Sequence, residues 1–225
     1  ALLRDEDVVA PRHREAMDAS LRKLYGLAVE RWNLQQSLGP GEQHYQRLLA
    51  ESRAMVVEAR RLGYSRHLAH VLRQSSGLHF LAGLPRDACS LLMESFALAV
   101  AAGDDQTAWD DAVDVPSVCH EHGASGRDAT MLWLHVARGA LARAKLSGTA
   151  RHVAMLVRFS RYLLHDGAKD PARALLREGL ATVLANPAAF RTEGVETASA
   201  LFDLVSWTGE LTERELLHRA LTEVL

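Results

Sequence analysis

The sequence predicts an all-α protein built as an array of helical hairpins, and three observations carry that expectation. The first is self-similarity. Leu72, Ser76, Phe80, Gly83, Ala88, Leu91, Leu92, Phe96 and Ala99 are matched 84 positions later by Leu156, Ser160, Leu164, Gly167, Ala172, Leu175, Leu176, Leu180 and Val183. Small residues fall on small, large apolar on large apolar, glycine on glycine. The step holds two units of about 42 residues, and a unit of that size buries its apolar face only by stacking on neighbours. The second is spacing: Ala88, Leu91, Leu92, Phe96 and Ala99 recur at threes and fours, one stripe of a helix, and no segment alternates as a strand does. The third is punctuation, with Gly63, Gly83, Gly103, Gly123 and Gly167 placed where helices should end in a left-handed residue.

Ten helices in five antiparallel pairs follow. A helix over 12–38 stops at Gly39-Pro40-Gly41, a tight hairpin rather than a linker. Helices over 42–62, 66–82 and 86–102 stop at Gly63, Gly83 and Gly103. The next, 105–122, has Asp104 or Asp105 as its cap and Gly123 at its end. Pro116 interrupts it, cannot donate to the Ala112 carbonyl and should kink it. Helices over 127–146 and 149–166 come next, the second ending at Gly167, and His122 and His165 put positive character near two C-termini. Asp170-Pro171 and Asn186-Pro187 each place a capping side chain before a proline at the first helical position, opening helices over 171–185 and 188–207; the last spans 212–223.

Composition narrows the class. Hydrophobic residues at 48% and charged residues at 24% describe a folded chain rather than a disordered one. With 26 basic against 28 acidic residues, the balance points neither to nucleic acid nor to a basic partner. The longest apolar run, Phe96 to Ala102, is far below the roughly 18 residues of a membrane span, so no membrane insertion is expected. Residues 1–225 read as one continuous domain; beginning at Ala1 without a methionine or signal peptide, it reads as part of something longer. Cys89 and Cys119 make no disulfide framework, and a cytoplasmic protein is the expectation.

Within each matched unit a small residue lies seven before a glycine and an alanine five after it: Ser76, Gly83, Ala88 and again Ser160, Gly167, Ala172, with Ser95 and Gly179 completing the pattern. This resembles the tetratricopeptide (TPR) repeat over about residues 42–185. The longer period is similar to the loose variant of MalT-like bacterial regulators. Leu91 through Asp105 and Trp133 through Ala144 resemble the C-terminal arrays of myxobacterial-type serine/threonine protein kinases. The resemblance implies a right-handed α-α superhelix of about five hairpins, a TPR-like solenoid acting as a non-catalytic, kinase-associated regulatory array that binds a protein or peptide. The MalT-like likeness implies an alternative, an effector-sensing module whose groove takes a small molecule. No kinase Gly-rich loop, His-Arg-Asp loop or Asp-Phe-Gly triplet occurs, so phosphoryl transfer is not assigned to this chain.

Chemistry-bearing clusters are thin. In Cys119-His120-Glu121-His122 the cysteine and His122 share a helix face, but zinc needs three or four converging ligands and no paired motif supplies them. The bland alternative is a buried thiol beside a helix-terminal histidine. His67 and His70 lack the glutamate of a His-Glu-x-x-His site, and His79 falls on Leu163 of the later unit, which marks it as a packing residue. Asp104, Asp105, Asp110, Asp111 and Asp114 lack the closing glutamate of a calcium loop. No nucleophile elbow or triad spacing occurs, and neither metal nor cofactor is expected.

In the TPR likeness the first helix of each pair lines a concave groove. Its register implies Glu30 and Asn33 in the first unit, His70, Arg73 and Gln74 in the second, and Asp110, Asp114 and Ser117 in the third. It implies Arg158, Arg161 and His165 in the fourth and Ser199 and Asp203 in the fifth. Positive and negative groups would then alternate along the groove and set the register of a mixed-charge segment. Asp110 and Asp114 stand where a C-terminal carboxylate clamp needs basic groups, so that mode is disfavoured.

Overall fold

The computed structural model describes residues 11–36, 42–119 and 126–185, with Phe190, Glu215 and Thr222. Among them the regular elements are all α-helices: α1 (Pro11–Gln36), α2 (Glu42–Leu62), α3 (Ser65–Leu81), α4 (Pro85–Ala101), α5 (Asp105–Cys119), α6 (Gly126–Arg143), α7 (Ala150–His165) and α8 (Lys169–Ala185). None of these is long and apolar enough to cross a membrane. The helices expected over 188–207 and 212–223 fall outside the described residues but for three isolated positions, as do Gly39-Pro40-Gly41, Gly123 and Asn186-Pro187.

Two compact units divide the chain, Ala1–His122 and Gly123–Leu225. In the first, α2, α3, α4 and α5 pack in succession, while α1 leans only lightly on α2 and α3. Its core gathers Leu27, Leu48, Leu49, Met55, Val56, Val71, Leu72 and Leu78. In the second, α7 packs most closely on α8, and Val153, Val183 and Phe190 cluster there.

The 84-residue echo is an echo of burial. Leu72, Ser76, Ala88, Leu92 and Ala99 are at most 2% exposed, and Leu156, Ser160, Ala172, Leu176 and Val183 are all at 0%. Small side chains let the two helices of a hairpin close on each other. Across the α3–α4 turn the Ser76 hydroxyl donates to the Ala88 carbonyl at 2.8 Å, so even the polar member of the signature is satisfied inside the core. Ser160 meets the same need within its own helix, donating to Val157 O at 2.7 Å.

The turns explain the glycines. Gly83 and Gly167 both stand at φ +74°. After α3, Gly83 N–H donates to Phe80 O and Leu84 N–H to His79 O; after α7, Gly167 and Ala168 donate to Leu164 and Leu163 in the same pattern. These pairs satisfy the last carbonyls of each helix and need a left-handed residue between them. A Cβ at either glycine would meet nothing within 4 Å, so the cost of Gly83→Ala or Gly167→Ala is conformational alone. Each is expected to lose about 1–2 kcal/mol, read as a lower urea midpoint with an unchanged slope. The same turn after α6 is built on Lys145, at φ +58°. With no glycine to mark it, the sequence extends that helix to 146, three residues beyond its end at Arg143.

Other boundaries shift for physical reasons. Pro85 takes the first position of α4, where its fixed φ is pre-organised and its missing N–H is no loss. α8 starts at Lys169, so Pro171 is its third residue rather than its first. That position still lies within the opening turn, whose N–H groups have no intrahelical acceptor. Asp104 caps α5 as expected, its carboxylate accepting from Thr107 N–H at 3.1 Å and from the Thr107 hydroxyl at 2.8 Å. Pro116 sits buried inside α5, which runs on to Cys119.

One expectation is overturned. Cys89, on the first turns of α4, and Cys119, the last residue of α5, are joined in a disulfide with their Cα atoms 4.8 Å apart. The buried-thiol reading fails because antiparallel packing of α4 and α5 returns the end of one helix to the start of the other. A sequence separation of 30 residues hides that proximity.

Candidate functional site

The expected groove residues fall into two sets, one in each unit. In the first unit α3 contributes His70, Arg73 and Gln74, and α5 contributes Asp110, Asp114 and Ser117. Arg73 Nη1 donates to Asp111 Oδ1 at 2.7 Å and Nη2 donates to Asp114 Oδ2 at 2.7 Å. Beneath them, on α4, the Ser95 hydroxyl lies 2.6 Å from Asp111 Oδ2 and 2.9 Å from Ala69 O. Asp111 is fully enclosed. Burial pushes its carboxyl up to about 6, Arg73 and Ser95 pull the other way, and the neighbouring Asp114 charge adds to the rise. Burial pulls the Arg73 guanidinium down, but Asp114, Asp110 and Asp111 together hold it above its ordinary value.

Arg73 is therefore a tie between α3 and α5, with its charge spent on carboxylates of its own chain. His70 Nε2 stands 3.5 Å from Asp104 Oδ2, and Arg66 Nε approaches the same oxygen at 3.7 Å. Ser117 turns inward, its hydroxyl donating to Asp114 O at 2.9 Å. The Gln74 Oε1 atom is buried with no hydrogen-bond partner among the described residues.

In the second unit Arg158, Arg161 and His165 lie exposed on one face of α7. The His165 side chain is 92% exposed, with Nδ1 4.0 Å from Asp166 Oδ1. Elsewhere in this unit Glu178 of α8 ties three helices: Oε2 accepts from Arg138 of α6, and Oε1 is 3.5 Å from His152 Nε2 of α7. His152 Nδ1 accepts from Gly148 N–H at 3.3 Å, which leaves its ring proton on Nε2, facing Glu178. Burial pulls the His152 pKa down and Glu178 opposes it. Asn33 lies in α1 with its side chain outside the described residues, and Ser199 and Asp203 are outside them altogether.

Two features had no place in the groove expectation. A cleft of about 830 Å³ opens between α1 and α2, lined by Ala16, Ala19, Ser20, Lys23, Glu51 and Met55 among others. Ser20 is 7% exposed and its hydroxyl has no partner among the described residues. His67 is 4% exposed, and neither ring nitrogen has a partner among those residues. Burial first, then the nearby His70, pulls its pKa below the ordinary value. His79 packs as expected, Nδ1 meeting the Ser75 carbonyl at 2.8 Å. Among the described residues no three His, Cys, Asp or Glu side chains converge on a metal position. The Cys119 sulfur is committed to Cys89.

Asp111 is the residue that sequence reasoning missed, grouped with an acidic patch when it is the enclosed one. A signal was present: Ala108, Asp111, Ala112 and Val115 form one stripe of α5, and a carboxylate on an apolar stripe calls for a buried partner.

No protein-family model matches this sequence, and no curated protein matches it. Solved structures do. A single-substitution variant of a protein described as a kinesin light chain with nearly identical TPR-like repeats, from Podosopora anserina, aligns with a TM-score of 0.66 at 13% identity. The alignment covers 89% of this chain and 94% of that one. The parent form aligns at 0.61, also at 13% identity, over 90% and 94% of the two chains. At that identity the likeness is one of fold, and the fold is a TPR-like helical repeat.

Proposed function

We propose that this chain is a non-catalytic binding array that holds a protein or peptide segment against polar faces of its first-of-pair helices. The observation that carries the reading is the segregation of α7 into a closed apolar side and a polar side. α7 buries Val153, Leu156, Val157, Phe159 and Leu163 and shows Arg158, Arg161 and His165 to solvent. Rigid helices that present charge in fixed register suit recognition better than chemistry, which needs a nucleophile, base and orienting group together. In this reading the array is the regulatory part of a kinase-associated bacterial signalling protein. The Cys89–Cys119 bond weighs against the cytosolic setting expected from the cysteine count, because such bonds persist in oxidising compartments.

The test is selection of peptides from a random display library on the immobilised full chain, followed by calorimetry of the winners. Peptides that bind with micromolar Kd, and protect α3, α5 or α7 amides from exchange, are the expected result. An exhausted library with no binder overturns it. The α1–α2 cleft favours a second reading, an effector-sensing module for a small molecule. A metabolite panel that raises Tm where selected peptides do not would decide for that one.

A further inference from the structure

The formal net charge of −2 conceals a division of charge along the chain. Residues 105–119, the whole of α5, carry four aspartates and no Lys or Arg, whereas α7 carries three arginines and no acid. Over 126–185 ten Lys or Arg face four Asp or Glu. Those four have local duties. Glu178 holds Arg138 and His152, Asp166 accepts from Thr130 at 2.9 Å, and Asp128 and Asp170 sit in the first turns of α6 and α8.

On α7 the positions 151, 158 and 165 repeat at seven residues, and 161 joins the same stripe. Arg151, Arg158, Arg161 and His165 are all exposed. Arg151 and Arg158 make contacts within the chain and still present their side chains to solvent. The stripe runs about 20 Å along the helix, since each residue rises ~1.5 Å. The opposite side of α7 is locked in the core, with Phe159, Leu156 and Leu163 at 0% exposure, so the arginines stand on a fixed support.

We propose that this α7 stripe is a docking surface for an acidic protein segment. The inference rests on the protein-binding reading above and names the partner's chemistry. Guanidinium groups match carboxylates bidentately and are weakly hydrated, which suits them to this over lysine. Arg151 and Arg158 stand about 10 Å apart along the helix, the reach of three residues of extended chain. The fitting segment is extended, with Asp or Glu at every third position. A single-stranded nucleic acid wants aromatic platforms on which bases stack, and positions 151, 154, 158, 161 and 165 carry none.

The experiment is fluorescence polarisation with the full chain and three labelled probes. One is a 12-residue peptide of Glu at every third position in Gly and Ser, one its Lys counterpart, and one a single-stranded oligonucleotide. The expected result is micromolar binding of the acidic peptide alone, weakened at least tenfold by Arg158→Glu with Arg161→Glu. Arg127→Glu with Lys169→Glu makes the same change in net charge away from the stripe and should stay within twofold of the parent. Unchanged circular dichroism melts certify the fold of both pairs. Equal loss in both pairs, no binding of the acidic peptide, or tighter binding of the oligonucleotide overturns the inference. Display-selected peptides that are neutral or basic would overturn it while leaving the protein-binding reading intact.

Discussion

Replacing Arg73 with methionine is expected to cost this protein about 3–5 kcal/mol, because it strands the enclosed Asp111 carboxylate without its guanidinium. Asp114 cannot compensate, carrying the same sign. The double variant Arg73→Met with Asp111→Asn should recover much of the loss, since an amide needs no counter-charge and can still meet Ser95. Chemical denaturation of the four proteins in the cycle measures this. A parent-like midpoint for Arg73→Met alone would show that the tie is ornamental. The pH dependence has a defined sign. Asp111 titrates at about 6 in the folded chain against 3.8 unfolded. Between those values the folded state holds more protons, so this group's contribution to stability falls as pH rises through the window. The difference is about 3 kcal/mol. His67 and His152, both pulled below 6.5, act oppositely and lose stability as pH falls below 6.5. The measurement is therefore the parent minus Asp111→Asn, which isolates the downward slope from pH 4 to 6.

Removing the Cys89–Cys119 bond is the second large effect. With the two cysteines separated by 30 positions in the sequence, restored freedom of the unfolded chain gives a loss of about 3–4 kcal/mol. Cys89→Ser with Cys119→Ser should melt well below the oxidised parent, and the parent in excess dithiol should match the double variant. Melting curves that coincide with and without reductant would mean the bond constrains nothing that folding does not already constrain.

Much of the fold was legible because local rules and packing agree. Leu72 and Leu156, Ser76 and Ser160, Ala88 and Ala172 were aligned by type and are aligned by burial. Gly63, Gly83, Gly103 and Gly167 occupy the left-handed turns they were assigned. Lys145 escaped because its conformation is imposed by the turn rather than announced by its side chain. The site was less legible. Residue type and register place Arg73, Asp110 and Asp114 on facing helices, but register cannot say whether opposite charges face outward to a partner or close on each other. Arg73 and Asp114 close at 2.7 Å, so the alternating charge expected of the groove is consumed within the first unit. Asp111 and the disulfide share one cause of invisibility: each depends on which helix lies beside α5, a fact held by α4 and absent from α5's own residues.

The covalent link between α4 and α5 also makes a closed ring of their backbone. Tension applied through the two ends of the chain passes across the sulfurs and bypasses the residues between them. A tethered molecule pulled to full extension would come up short by about 100 Å of contour, at 3.3–3.6 Å for each sequestered residue. A reductant would release that length as a single step, so the oxidation state of two sulfur atoms sets how far this array can be stretched.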